Sequence, residues 1–112
     1  MSSRLRQHRR LIEILLSEDL TPRKRNNIIK GATKSEINAI AEIVLNFLRG
    51  NLPTTEVSSL KRYRKAYREI SGKNANWINR KRLIIKYGKA IRVLFKRLET
   101  FFRDEFRTDE IQ

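Results

Sequence analysis

The chain has no cysteine, so disulfides and thiolate zinc sites are excluded, and the compartment is left open with a lean to intracellular. Glycine occurs only four times and proline twice in 112 residues. So few breakers speak against a strand-and-turn architecture and for helices. His8 is the one histidine, set among arginines in "RQHRR", and reads as a surface residue. It leaves no Ser-His-Asp arrangement. No Gly-rich phosphate loop is present, because "RGNLP" and "ISGK" lack the required spacing. Enzymatic catalysis is therefore not expected, nor is a cofactor. No apolar run approaches the roughly 18 residues of a membrane span. The opening "MSSRLRQHRRLIEILLSED" lacks an uninterrupted apolar stretch of secretory length.

Negative charge is scarcest where positive charge is densest. Residues 60–97 hold fourteen Lys or Arg against a single acid, Glu69. Residues 1–57 are milder, with ten basic and six acidic side chains, and residues 99–112 are acidic, with five acids and two basics. The whole chain carries +14 at a pI near 11.0. Self-repulsion on that scale weakens a small fold, and a polyanion relieves it. Nucleic acid is the first partner class to follow, and an anionic membrane surface the second.

The length predicts one domain, over residues 1–107, with 108–112 an acidic frayed tail. Periodicity predicts an all-α fold: a small bundle of about five helices with a long C-terminal amphipathic helix. The first helix runs from about Ser3 to Ser17, with Leu5, Ile12, Leu15 and Leu16 on one side. Thr21-Pro22 starts a short second helix that stops at Gly31. Thr33 to Glu36 reads as a capping box, opening the most apolar helix, which ends at Gly50. Ile37, Ile40, Val44 and Phe47 form its stripe, widened by Ala41, Leu45 and Leu48, and mark the centre of the core. A fourth helix is capped by Thr54 or Thr55 and buries Val57, Leu60, Tyr63, Tyr67 and Ile70. The fifth runs from about Asn76 to Arg107. Trp77, Ile84, Ile91 and Leu98 repeat every seven residues in it, and Tyr87, Leu94 and Phe101 fill the second heptad position. Gly88 inside it marks a kink or a break.

The apolar residues threaded through residues 60–97 show that this segment folds and displays its charge on an ordered surface. The cations are Lys61, Arg62, Arg64, Lys65, Arg68, Lys73, Arg80, Lys81, Arg82, Lys86, Lys89, Arg92, Lys96 and Arg97. Rows of cations over roughly 20–30 Å of helix suit a duplex that carries a phosphate charge about every 1.7 Å. These fourteen are the candidate nucleic-acid-binding residues, with double-stranded DNA the leading partner.

Other residues carry weaker signals. Asn74, Asn76 and Asn79 read as turn and cap residues before base readers. Tyr63, Tyr67 and Trp77 read as core before stacking platforms for unpaired bases, the RNA-binding alternative. Asp104, Glu105, Asp109 and Glu110 read as a solvated helix end, not a metal site, since the alternation of a calcium loop is missing. The apolar face over residues 84–106 fits a homodimer interface. Within it, helix 90–106 also has the pattern of an interfacial, membrane-active or scaffold helix.

The run from "RNNIIKGATKSEINAIAEIVLNFLRGNLP" through "LKRYRKAYREI" to "RKRLIIKYG" resembles a small basic protein of Polinton/Maverick elements and adintoviruses. The likeness covers about residues 15–88. "LNFLRGNLP" followed by "LKRYRKAYREI" is its more specific part. That family is compared with the small basic core protein of adenoviruses, which condenses the genome in the virion. The resemblance thus implies a DNA-packaging virion protein, located in the virion and the host nucleus, with capsid proteins among its partners. The family tends to continue into a Gly-rich apolar C-terminus, where this chain has a charged amphipathic helix and an acidic tail.

Overall fold

A computed structural model describes the backbone of residues 3–54, 57–73 and 75–111, with all their side chains except those of 3, 4, 57 and 108–111. Among the described residues there are eight α-helices and no strands. They are α1 (Ser3–Gln7), α2 (Arg9–Leu16), α3 (Pro22–Lys30), α4 (Lys34–Leu48), α5 (Arg64–Ile70), α6 (Trp77–Lys86), α7 (Gly88–Arg97) and α8 (Glu99–Ile111). A 3₁₀ segment, Val57–Tyr63, leads into α5.

The local start and stop signals act as the sequence dictates. Thr21 accepts from the Lys24 amide at the head of α3, with Pro22 in the first turn, where its missing N–H costs nothing. Thr33 and Glu36 form a reciprocal capping box on α4, at 3.1 and 2.8 Å. Asn76 accepts from the Asn79 amide at 2.8 Å and starts α6. Gly50 lies at φ 73, the left-handed conformation that ends α4 cheaply only with glycine. Thr55 lies outside the described residues, and Thr54 precedes the 3₁₀ segment.

The long C-terminal helix does not form. Asn76 to Arg107 as one helix would measure roughly 48 Å, whereas the longest dimension of the molecule is 37 Å. The segment instead turns at Tyr87 (φ −103, ψ 32) and Leu98 (φ −99, ψ 2), giving α6, α7 and α8. The same kind of joint occurs at His8 (φ −108, ψ 23), which divides the expected first helix into α1 and α2. Each joint is one residue whose carbonyl still accepts from the amide four residues on: Ile12, Ile91 and Phe102. The hydrogen-bond ladder therefore resumes directly beyond each bend.

These bends wrap the helices around α4. Ile37, Ala39, Ile40, Ala41, Ile43 and Val44 are all buried, so α4 is covered on several sides, by α5 and α6 among others. α2 packs on α7, α3 on both α6 and α7, and α8 returns to α1. One cluster of buried apolar side chains runs from Leu5 to Phe106. Phe95, Phe102 and Phe106 line up within it at centroid spacings of 5.4 and 6.2 Å. The radius of gyration, 13.1 Å, is that of one compact unit of this length, for which about 13 Å is usual.

Candidate nucleic-acid interface

Ten of the fourteen sequence-predicted cations project into solvent: Lys61, Arg62, Arg64, Lys65, Arg68, Lys73, Arg82, Lys86, Lys89 and Lys96. Burial of Leu60, Ala66, Tyr67 and Ile70 turns the opposite side of the 3₁₀ segment and α5 outward. Lys61, Lys65 and Arg68 follow one another at intervals of four and three along that outer side. Arg82 and Lys86 stand one turn apart on α6, and Lys89 and Lys96 two turns apart on α7. Two of the ten lie over aromatic rings, Arg62 on Tyr63 at 5.3 Å and Lys86 on Tyr87 at 5.1 Å, which steadies long side chains without neutralising them.

The other four are half-buried. Three of them hold the fold. Lys81 Nζ donates to the carbonyls of Lys30 and Ala32 at 2.9 and 2.8 Å, closing the C-terminal end of α3. Arg80 donates to the Gly72 carbonyl just beyond α5, at 2.8 Å, and to Asn38 of α4. Arg92 donates to the Leu20 carbonyl at 2.8 Å, ahead of α3. A cation on the carbonyl end of a helix meets the negative pole of its dipole. Arg97 is half-buried on α7.

Glu69, the lone acid of the segment, accepts a hydrogen bond of 2.5 Å from the Tyr87 hydroxyl. That bond lifts the Tyr87 pKa above its ordinary value. It ties α5 to the α6–α7 joint. Among the described residues, no Lys or Arg from 61 to 89 is held in an ion pair.

Aromatic residues are committed inward to different degrees. Tyr67 is fully buried, and its hydroxyl donates to the Ala90 carbonyl at 2.7 Å. Burial raises its pKa, and Tyr63 adds to the rise. Tyr63 and Trp77 are half-buried against the core, and Lys81 stands 5.1 Å from the Trp77 ring. The apolar face of residues 84–106 is used within the chain. Ile84, Ile91, Leu94, Phe95, Leu98, Phe102 and Phe106 are all buried, so a second copy or a bilayer would reach them only by opening the fold. No described helix is long and apolar enough to cross a membrane.

His8 Nε2 lies 2.9 Å from the Ser35 hydroxyl and joins the α1–α2 bend to the first turn of α4. Of the C-terminal acids, Asp109 and Glu110 have side chains outside the described residues. No group of three or more His, Cys, Asp or Glu that could hold a metal occurs among the described residues. A cleft of about 420 Å³ between α2 and α8 is lined by Arg9, Glu13, Glu99, Phe102, Arg103 and Phe106, among others. Its charges are matched locally, Arg9 with Glu13 and Arg103 with Glu99.

One residue that sequence reasoning passed over stands out. Arg25 of α3 is buried, with its guanidinium against Gly88 at the start of α7. The available signal was indirect: a glycine inside an apolar helical pattern marks a close approach by something else. Comparison with known protein families, curated proteins and solved structures returns no match.

Proposed function

We propose that the chain binds double-stranded DNA through phosphate contacts, without strong sequence preference. It would thereby condense or package a genome of the viral or transposon kind that its sequence resembles. The observation that carries this reading is the row of exposed, un-ion-paired cations on the 3₁₀ segment, α5, α6 and α7. A surface of one sign, held on ordered helices, neutralises a regular array of phosphates and releases their counterions. Of the asparagines that could touch bases, Asn76 spends its side chain capping α6, and Asn74 lies outside the described residues.

Condensation requires each molecule to touch more than one duplex. Arg23 and Lys24 on α3, and Lys34 and Arg49 at the two ends of α4, are exposed as well, so cations are not confined to one edge. A virion and host-nuclear setting, with capsid proteins nearby, belongs to the same proposal.

The test is binding to an unrelated 30-base-pair duplex across a salt series, with the Arg62/Arg64/Lys65→Ala triple variant alongside. Tight binding, a log–log salt slope near −0.9 per neutralised phosphate, and similar affinity for different sequences support the reading. Weak binding at physiological salt, or a triple variant as good as the parent, removes it.

A further inference from the structure

The start of α7 gathers two guanidiniums, and no carboxylate among the described residues pairs with either. Arg25 is only 9% exposed, and it is the one charged side chain in the buried class among the described residues. Its Nε is sealed from solvent and makes no hydrogen bond. Its guanidinium lies directly on Gly88, the first residue of α7: a Cβ there would stand 2.6 Å from Nη2 and 2.7 Å from Nε. Tyr87, at the cap position, offers no side-chain oxygen to the first turn of that helix. The helix end therefore keeps its partial positive charge beside the guanidinium.

Arg92 follows one turn along α7 and adds a second guanidinium. Burial and the Arg92 charge both pull the Arg25 pKa down, and no carboxylate opposes them. Glu18 lines a small cleft with Arg92 and Lys96, yet it makes no ion pair among the described residues. An arginine does not escape by losing its proton, and an Nε–H sealed from water without a partner costs free energy. Two guanidiniums, a bare helix N-terminus and an orphaned buried N–H lack one thing in common, an anion.

We propose that the α3–α7 seam at Arg25, Arg92 and the first turn of α7 is a phosphate-binding site. Its ligand is a tetrahedral phosphate group, either free inorganic phosphate or a phosphodiester of a bound nucleic acid. This site stands apart from the exposed cations and does not rest on the duplex-binding reading.

The experiment follows the melting temperature of the full chain in sodium phosphate against sodium chloride at matched ionic strength. The wild type should gain stability saturably, on the order of 10 °C at a hundredfold excess over Kd. Arg25→Met should lose the gain, while the Arg62/Arg64/Lys65→Ala variant keeps it. A gain that never saturates, or that survives Arg25→Met and disappears in the triple variant, overturns the site and leaves general screening. Should Arg25→Met fail to fold, amide NMR of the unaltered protein decides. Phosphate must then move Gly88, Lys89 and Ala90 first; movement confined to residues 61–86 overturns the proposal. Adding a short duplex in phosphate-free buffer separates the sources. If the same three amides move, the ligand is a phosphodiester; if they move only with inorganic phosphate, it is the free ion. If they move with neither, the proposal fails.

Discussion

The guanidinium of Arg25 occupies the place where any residue but glycine would put its Cβ at position 88. The relationship joins α3 to the α6–α7 bend and explains why a glycine sits in an otherwise apolar helical pattern. Gly88→Ala should cost about 1–2 kcal/mol, the cost of overpacking a filled site. In an Arg25→Ala background the same change meets no guanidinium, and alanine regains up to about 1 kcal/mol of helix propensity. A four-member cycle of urea melts should therefore give a coupling within the usual range of about 0.5–3 kcal/mol. Additive effects would mean that the two residues do not share the space.

Thr33 and Glu36 cap the helix around which the rest is wrapped, so their loss should be felt globally. Thr33→Ala removes the acceptor for the Glu36 amide and should cost about 1 kcal/mol. Glu36→Ala should cost less, because the exposed Thr33 amide it leaves can turn to water. Equilibrium unfolding of the two single variants and the pair checks this, and the pair should fall short of additivity.

Much of the fold was legible because its signals are local. Thr21, Thr33 and Asn76 as caps, and Gly31 and Gly50 as stops, obey rules that a few neighbouring residues satisfy by themselves. The burial of Ile37, Ile40 and Val44 follows from one helical stripe. The break between α6 and α7 was flagged by Gly88, but the bends at His8 and Leu98 were not legible, since no breaker marks them and the cause is tertiary: a straight helix outruns the globule. The site divides the same way. Charge density picked out the segment, but exposed and carbonyl-bound cations have identical side chains. Lys81 and Arg82 are adjacent in sequence, yet one closes α3 and the other faces water. Arg25 was one basic residue among ten in residues 1–57 until α7 was laid across it.

Tyr67 makes stability sensitive to alkali. Its hydroxyl is buried and bonded to the Ala90 carbonyl, and its folded pKa lies above the ordinary 10.0. Below pH 10 both states keep the proton, and the contribution is whole. As pH rises through 10 the unfolded chain ionises while the folded chain does not. Stability then falls by up to about 1.4 kcal/mol per pH unit until the folded value is reached. Tyr67→Phe should lower stability at pH 7 by about 1 kcal/mol, by removing the hydroxyl's bond to the Ala90 carbonyl, which keeps its helical partner. It should also flatten the decline above pH 10. Melts between pH 7 and 11 test both parts, and an unchanged alkaline slope would assign the sensitivity to other groups.

The two kinds of cation should separate cleanly when stability and binding are measured on the same variants. Lys81 donates to two carbonyls at the end of α3, so Lys81→Met should cost about 1–2 kcal/mol in unfolding. Its effect on duplex affinity should be small, and the salt slope should hardly change. Arg62, Arg64 and Lys65 touch solvent, so replacing all three by alanine should leave the unfolding midpoint unchanged or raised, as self-repulsion drops. Duplex affinity should fall, and the salt slope should become shallower by about 0.9 for each phosphate no longer neutralised, up to about 2.7. The reverse pattern, with stability lost in the triple variant and affinity lost in Lys81→Met, would place the DNA-binding surface around α3 and α6. In that case the cations of the 3₁₀ segment and α5 would have to be reassigned to the fold.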